Sequence, residues 1–507
     1  MEPELKFENY QSLEKCQPVT VEQNSQAEFA VPEYMPEILR IVKSEATARI
    51  ESCRTVGNRV TIDGVCEMRA VYTSEDGGIY TLTQTENFTR HCENGLFDGA
   101  CDVTAKTAVN YVNCRATATR RAEIKASLLI SLTAWRAKTV STVCSGACKN
   151  LEEKCVPVVA SSLGCRKTRR FAMSDTVSFT MPASFIISSK ACAVCGEIRK
   201  INNKIMIKGE AVVEIVYVPA GDKNAAERLR HTLPVNQILE FEGMEERYTG
   251  DVTLRCTACE VLLRSDGDGI CRSADIALGV DACVTMWETK EFAVINDAYS
   301  VGSAVELKKE RCSFVSPVCE LNETETVNSV VQIGGEGVSA VLDAVAEAGE
   351  PAVECKNGEL CVSGSIKLAM LIRDSGGSLS GYEKMLDYTV SKKLENECGA
   401  LVASPSVTVT SADWSVNGDS AVEVRIEISV CGTVFSESAV EAVTGITFCD
   451  APVKRSKNAV TVYFPEKEEN LWSIARRYNT TVKAIARENA IEGDSTGDLK
   501  ILFIPAV

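Results

Sequence analysis

Apolar and polar residues alternate with a period of two over most of the first 450 positions, the signature of half-buried β-strands. Three stretches carry the pattern in nearly the same form. They are NRVTIDGVCEMRAVY (58–72), NKIMIKGEAVVEIVY (203–217) and GELCVSGSIKLAMLI (358–372). One glycine interrupts each: Gly64, Gly209 and Gly364, separated by 145 and 155 residues. A glycine inside a strand marks a bulge or a close backbone approach. A polar turn follows each stretch (SEDGG, PAGDKN, RDSGG), and then a second strand.

The likeness continues downstream. Residues 109–135, 251–287 and 405–434 each read as a strand, a turn and a longer strand. This is self-similarity on the scale of a domain, because a solenoid repeats over a shorter period. Closely spaced alternating strands with turn signals predict sandwiches or barrels. The fold class expected is mainly β, with three tandem β-sandwich-like domains over 30–148, 174–296 and 325–448 after an N-terminal segment of residues 1–29. Short helical patterns precede two of the glycine strands, in PEILRIVKSEA (36–46) and GVSAVLDAVAEAG (337–349). Short linkers are expected near Lys149–Met173, Asp297–Thr324 and Asp450–Lys457, giving a chain of tightly joined beads.

From Val460 the periodicity changes. A short strand (460–464) is followed by two helical patterns and a closing strand (501–504). Leu471, Ile474, Ala475 and Tyr478 fall on one helix face, and Asn470 stands where a capping side chain is wanted. Asn479 suits the left-handed residue that ends such a helix, and Thr481 can cap a second helix with Val482, Ile485 and Ala486 inward. Trp472 lies off the first apolar stripe, so it is either a binding anchor or the cover over the edge of a small core.

This βααβ segment, residues 458–507, resembles a LysM module, a small unit that binds N-acetylglucosamine-containing glycans such as peptidoglycan and has no catalytic machinery. The resemblance places the partner- or glycan-binding residues in two loops and the first helix: Glu469, Asn470, Trp472, Asn489, Ala490 and Ile491. The usual Gly-Asp-Thr of the first loop is Glu468, Glu469 and Asn470 here, the usual Asn pair of the second is Asn489 and Ala490, and Asp498 and Leu499 replace a Pro-Gly turn. Side chains then stand where a sugar would approach the backbone, so a protein ligand becomes a rival to glycan.

Charge and composition remove several classes. The 507 residues carry a net charge of −16, which argues against nucleic acid and against docking on an anionic membrane. No apolar run is long enough for a transmembrane helix, and the first residues lack the basic and apolar regions of a secretory signal. The 23 cysteines, an odd number without an export signal, argue against a disulfide framework. Two CxxC pairs, Cys192/Cys195 and Cys256/Cys259, have zinc-ligand spacing. Strand alternation would point Cys256 and Cys259 to opposite faces, and packing as small apolar residues is the simpler reading. His91 and His231 have no nucleophile motif nearby. Gly-rich IGGEGVSAV (333–341) lacks a full dinucleotide fingerprint, and SDGDGICRSAD (265–275) has Ala277 where a calcium loop needs Glu, so a hairpin turn is expected there. No catalytic, cofactor or metal site is expected.

Tandem copies of this β unit followed by one LysM module resemble a clostridial spore-coat morphogenetic protein, whose β repeats are SPOCS domains. The resemblance is carried by PEYMPEILRIVKSEA (32–46), the glycine strands, NYVNCRA (110–116) and LWSIARRY (471–478). It implies a non-enzymatic adaptor in the mother-cell cytoplasm at the forespore surface. Its partner there is the coat-basement ATPase, bound with the help of the LysM module. The competing reading is a peptidoglycan-binding LysM protein, and the missing export signal favours the adaptor.

Overall fold

A computed structural model describes all of the chain except residues 1–4, 98–100, 147–150, 223–224, 242–247, 335–336, 396–398, 419, 450–458, 467–468, 494, 497–498 and 507. The first repeat contains β1 (Phe7–Lys15), β2 (Val19–Ala30), β3 (Arg40–Val56), β4 (Arg59–Thr73), β5 (Ile79–Glu93), β6 (Cys101–Ala118) and β7 (Arg121–Val143). The second contains β8 (Leu151–Ile201), β9 (Lys204–Pro219), β10 (Glu227–Glu240), β11 (Thr249–Ser265) and β12 (Cys271–Ser300). The third contains β13 (Ala304–Gln332), β14 (Ala340–Ala348), β15 (Ala352–Lys356), β16 (Glu359–Arg373), β17 (Leu379–Lys393), β18 (Ala400–Ala403), β19 (Ser406–Asn417) and β20 (Ala421–Cys449). β21 (Val460–Tyr463), α1 (Leu471–Tyr478), α2 (Val482–Asn489) and β22 (Leu502–Pro505) form the C-terminal module.

The architecture is mainly β, as expected. Each repeat is an antiparallel sandwich. In the first, sheet β3-β4-β5 faces a sheet in which β7 is flanked by β1, β2 and β6. Their inward side chains, among them Ile62, Met68, Ile124, Leu128 and Ile130, form one dry core. The third repeat repeats the plan, with β14, β15 and β17 flanking β16 in one sheet and β13, β18 and β19 flanking β20 in the other. In the second repeat the 51-residue β8 runs through both layers and joins them into one ladder.

The three glycines occupy one equivalent position, in the middle strand of the first sheet. Gly64 is paired with Phe88, Gly209 with Val235 and Gly364 with Tyr388. A Cβ at Gly64 or Gly364 would collide with the ring of the facing aromatic, and one at Gly209 with the Val194 carbonyl. The glycines therefore mark close approach, one of the two meanings the sequence allowed.

Two expectations fail for one reason. The helical patterns at 36–46 and 337–349 are strands β3 and β14. A bulge inserts Val42 between Ile41 and Lys43, and Leu342 between Val341 and Asp343. The extra residue spaces the apolar positions by three and four, which imitates a helix. β8 carries the same bulge at Ile187. The linker segments 149–173 and 297–324 are likewise mostly strand where described, within β8 and within β12 and β13, with a bend at 301–303. The third linker, 450–457, lies outside the described residues.

The repeats are not beads. They close around a shared pseudo-threefold axis, because successive clusters draw equivalent residues from all three. Val71, Ile187, Val216, Leu342 and Leu371 share one cluster. Trp135, Trp287 and Phe435 share another, with ring centroids 5.2–5.9 Å apart. Beyond the aromatic triad the ladders β1·β7, β8·β12 and β13·β20 form three walls around Val140, Phe292 and Phe314, and then around Val143, Ile295 and Val443. The first halves of β8 and β13 in these walls are segments whose sequence reads as linkers.

Immediately after the bulged residues the equivalent positions are Lys43, Ser188 and Asp343. Lys43 Nζ donates to Asp343 Oδ2 at 2.6 Å and pairs with Glu45 at 3.2 Å, and Arg69 pairs with Glu45 at 3.1 Å. Lys43 and Asp343 are buried. Burial pushes the Lys43 ammonium down, but Glu45 and Asp343 outweigh it and hold it above its ordinary range. Burial likewise raises Glu45 and Asp343; Lys43, Lys190 and Arg69 reverse this, taking Glu45 to about 2 and Asp343 well below the carboxylate range.

Breaking such a pair strands a buried charge, so Asp343→Ala should cost about 3–5 kcal/mol in denaturant unfolding. Lys43→Met with Asp343→Leu should recover most of that loss. An unchanged midpoint in Asp343→Ala would show that the junction does not rest on this pair. The carboxylates, whose folded values are depressed, contribute fully above about pH 4, and the contribution is lost as pH falls through those values.

Candidate partner-binding site

The module folds as its sequence dictates. Asn470 caps α1 by accepting from the Trp472 N–H at 2.8 Å, and Asn479 closes it in the left-handed conformation. Thr481 caps α2 by accepting from the Ala484 N–H at 3.0 Å. Leu471, Ile474, Ala475, Ile485, Leu502 and Ile504 make its core.

The candidate residues are largely committed to the module itself. The Glu469 carboxylate accepts from Tyr463 Oη at 2.9 Å and from the Glu466 N–H, and pairs with Arg477 at 3.4 Å. Asn489 donates to the carbonyls of Ile485 and Phe503 and accepts from the Phe503 N–H at 2.7 Å, so its amide braces β22. Ala490 ends α2 at φ +51°, and Ile491 is half-buried against the module core. The two loops do meet: Asn470 bridges to Ser495, and Thr496 donates to the Glu469 carbonyl. Glu468 and Asp498 lie outside the described residues.

Trp472 is half-buried and faces the β body rather than solvent. Its Nε1 donates to Asp297 Oδ2 at 2.8 Å, and its ring packs edge-on against Tyr299 at 4.9 Å. Arg476 pairs with Asp297 at 3.0 Å, and Tyr299 Oη donates to the Thr480 carbonyl at 2.7 Å. Helix α1 thus docks the module on the end of β12. Burial pushes the Asp297 carboxyl up, but Trp472, Lys309 and Arg476 outweigh this and hold it below its ordinary range.

The surface that sequence reasoning missed is the outer face of the two-stranded sheet. β21 pairs with β22, Val462 facing Phe503. The inner face, with Leu502 and Ile504, covers the helices. The outer face exposes Val460, Val462, Phe464, Ile501 and Phe503, with Phe464 67% exposed and Phe503 46%. The alternation Val460, Val462, Phe464 was visible in the sequence. Which face the helices would cover was not.

The other candidate chemistry resolves into structure. A bulge between Cys256 and Ala258 reverses the alternation, so Cys256 and Cys259 pack against the same core instead of facing opposite ways. Burial pushes their thiols up, to about 12 and about 11. Among the described residues, no group of three or more His, Cys, Asp and Glu side chains could hold a metal ion. His231 Nε2 lies 2.8 Å from Asp175, and His91 Nδ1 lies 3.2 Å from Thr61. Segment 265–275 is a hairpin turn, in which the Asp266 carboxylate accepts from the N–H groups of Asp268 and Ile270. Gly335 and Glu336 of the glycine-rich stretch lie outside the described residues.

Fold and module together define a β-rich protein that carries a small binding unit at its C-terminus. The SipL, SPOCS domain family matches residues 37–117 and 183–262, and the LysM domain family matches residues 466–501. The chain therefore carries SPOCS and LysM domains, the domain content of a SipL-like protein. Both domain families are non-catalytic. No curated protein and no solved structure matches the chain. The third repeat lies outside the matched segments and shows its kinship through Gly364 and the bulge at Leu342. Among the described residues no helix is long and apolar enough to cross a membrane.

Asp297→Ala removes the acceptor shared by Trp472, Arg476 and Lys309. Hydrogen bonds to a charged group contribute about 1.5–3 kcal/mol each, so hydrogen exchange in α1 and at 297–301 should quicken about tenfold or more, while α2 keeps its protection. Unchanged exchange would mean that the module is held by other contacts.

Proposed function

We propose that this protein is a non-enzymatic adaptor of spore-coat assembly that binds the coat-basement ATPase through its LysM module, acting in the mother-cell cytoplasm at the forespore surface. The observation that carries the reading is the apolar outer face of β21 and β22, open to solvent on a module already docked to the body. A cluster of exposed apolar side chains marks a protein contact more than a sugar site. The groove side chains support the same choice. Asn489 and Glu469, which a glycan would need as donors and acceptors, are already bonded inside the module, Asn489 to Phe503 and Glu469 to Tyr463. The domain families supply the sporulation context. The specific ATPase is the partner that the family resemblance implies.

Few residues dominate an interface, and Phe464 and Phe503 are the largest on this face. Phe464→Asp in the full chain should weaken ATPase binding by about 2 kcal/mol or more, roughly 30-fold, with the module still folded. Phe503→Asp should do the same. Calorimetry with purified ATPase measures both. Undiminished affinity in both variants would remove this face from the interface. Saturable binding of the full chain to purified peptidoglycan, insensitive to Phe464→Asp, would replace the adaptor reading with the glycan one.

A further inference from the structure

The two-stranded sheet of the module is closed along one edge and open along the other. In an antiparallel pair, residues that bond across the pair alternate with residues whose N–H and C=O point outward. The Ala506 N–H donates to the Ala459 carbonyl at 3.0 Å, in the same register that pairs β21 with β22. Thr461 with Ile504 and Tyr463 with Leu502 are therefore the pairs that bond across. Val460 and Val462 on β21, and Phe503 and Pro505 on β22, turn their backbone groups outward.

On β22 the outward groups are met from within the module. The Asn489 side chain donates to the Phe503 carbonyl at 2.6 Å and accepts from the Phe503 N–H at 2.7 Å, as a neighbouring strand would. Thr480 Oγ1 donates to the Pro505 carbonyl at 2.8 Å, and proline has no N–H to satisfy. On β21 no described residue bonds to the outward N–H or C=O of Val460 or Val462, and both residues are exposed.

The open edge also lacks the usual guards. Strand edges are blunted by bulges, prolines or charged side chains. β21 reads VTVY, and its ladder runs without a bulge. Its unmatched backbone groups stand directly beside the apolar outer face. A strand added there would set every second side chain on that face, next to Val460 and Val462. The intervening side chains would lie on the side of Thr461 and Tyr463, where the Arg477 guanidinium covers the Tyr463 ring. The segment that fits is therefore extended, with apolar and polar residues in alternation. A second copy of this chain is a poor occupant, because each copy carries a net charge of −16 and β21 is only four residues long.

We propose that the partner adds an extended segment to β21 as a third strand of the module's sheet. Its backbone bonds to Val460 and Val462, and its apolar side chains pack beside Val462 and Phe464. The inference rests on the adaptor reading and specifies how the same face is engaged: the backbone bonds give affinity, and the alternate side chains give specificity.

Residue-resolved hydrogen exchange in the full chain, with and without saturating ATPase, tests the proposal alongside Val462→Pro. A proline there removes an outward N–H and leaves the cross-pair bonds of Thr461 and Tyr463 in place, a substitution that edge strands tolerate. In the complex the Val460 and Val462 amides should exchange at least tenfold more slowly. Val462→Pro should weaken ATPase binding at least tenfold in calorimetry, and Val462→Ala, which keeps the N–H, should weaken it less. Should Val462→Pro fail to fold, the amide exchange decides. Unchanged exchange at both amides overturns the strand addition, as does an equal loss in Val462→Ala and Val462→Pro. Full affinity in a folded Val462→Pro, with binding lost in Phe464→Asp, also overturns it while leaving the adaptor reading intact. Full affinity in all of these variants, Phe503→Asp included, removes the face itself and this inference with it. Protection of the same amides in the chain alone, rising with its concentration, would assign the edge to a second copy and overturn the proposal.

Discussion

Six open strand edges have to be accommodated at the centre of this molecule. In each repeat the first sheet ends on β3, β8 or β14 and the second on β6, β11 or β19, and these edge strands face the axis. An unpaired edge is a template for further strand pairing. Here every one of the six is broken by a bulge, at or next to Val42, Asn110, Ile187, Thr257, Leu342 and Thr410. Charged side chains point inward between the bulges. Both devices prevent the edges from zipping together and leave a polar cavity between two apolar seals. The seals hold the repeats; the bulges and charges keep them from merging.

Because the three repeats are joined in one chain, equivalent positions are free to differ, and the difference carries specificity. Lys43, Ser188 and Asp343 are one such set, and Glu45, Lys190 and Val345 another. Three identical repeats would place three like charges at the axis, where each would repel the others and find no partner. Buried ion pairs add little net stability over apolar residues, yet a wrong pairing leaves a stranded charge. The network therefore selects the order of repeats around the axis more than it strengthens their contact. Contacts at the periphery agree: Arg40 donates to the Leu379 carbonyl, Arg228 pairs with Asp413 at 2.8 Å, and Arg166 pairs with Asp102.

Legibility in the sequence follows from how local each signal is. The C-terminal caps at Asn470 and Thr481 and the glycine positions were readable because they depend on neighbours within a few residues or on one facing strand. The strands β3 and β14 were misread because a bulge changes the parity of the pattern, and a bulge is imposed by the axis, which no local window contains. The same holds for β8 and β13. Their first halves carry bulges at Gly164 and Val318, and their inward positions, such as Val158, Ala160, Cys312 and Phe314, are buried against the other repeats rather than within their own. Of the candidate site, the fold of the module was legible, and the candidate residues could be placed in its two loops and first helix. Their bonding was not. Trp472 could be placed off the apolar stripe from sequence, but Asp297 and Tyr299, 175 and 173 residues upstream, decide what it faces.

That docking determines what the module can offer a partner. A LysM unit has two main surfaces, the helices with their loops and the outer face of its sheet. In this protein α1 is turned to the body by Trp472 and Arg476, and the polar atoms of the two loops are occupied by Tyr463, Arg477 and β22. The sheet face is the part left both apolar and open. A partner seated there would meet a module whose orientation is already fixed on a rigid three-repeat body. It would lose less orientational freedom than it would against a module on a free tether. The scaffold would then contribute to such binding without touching the partner, by holding the face in place.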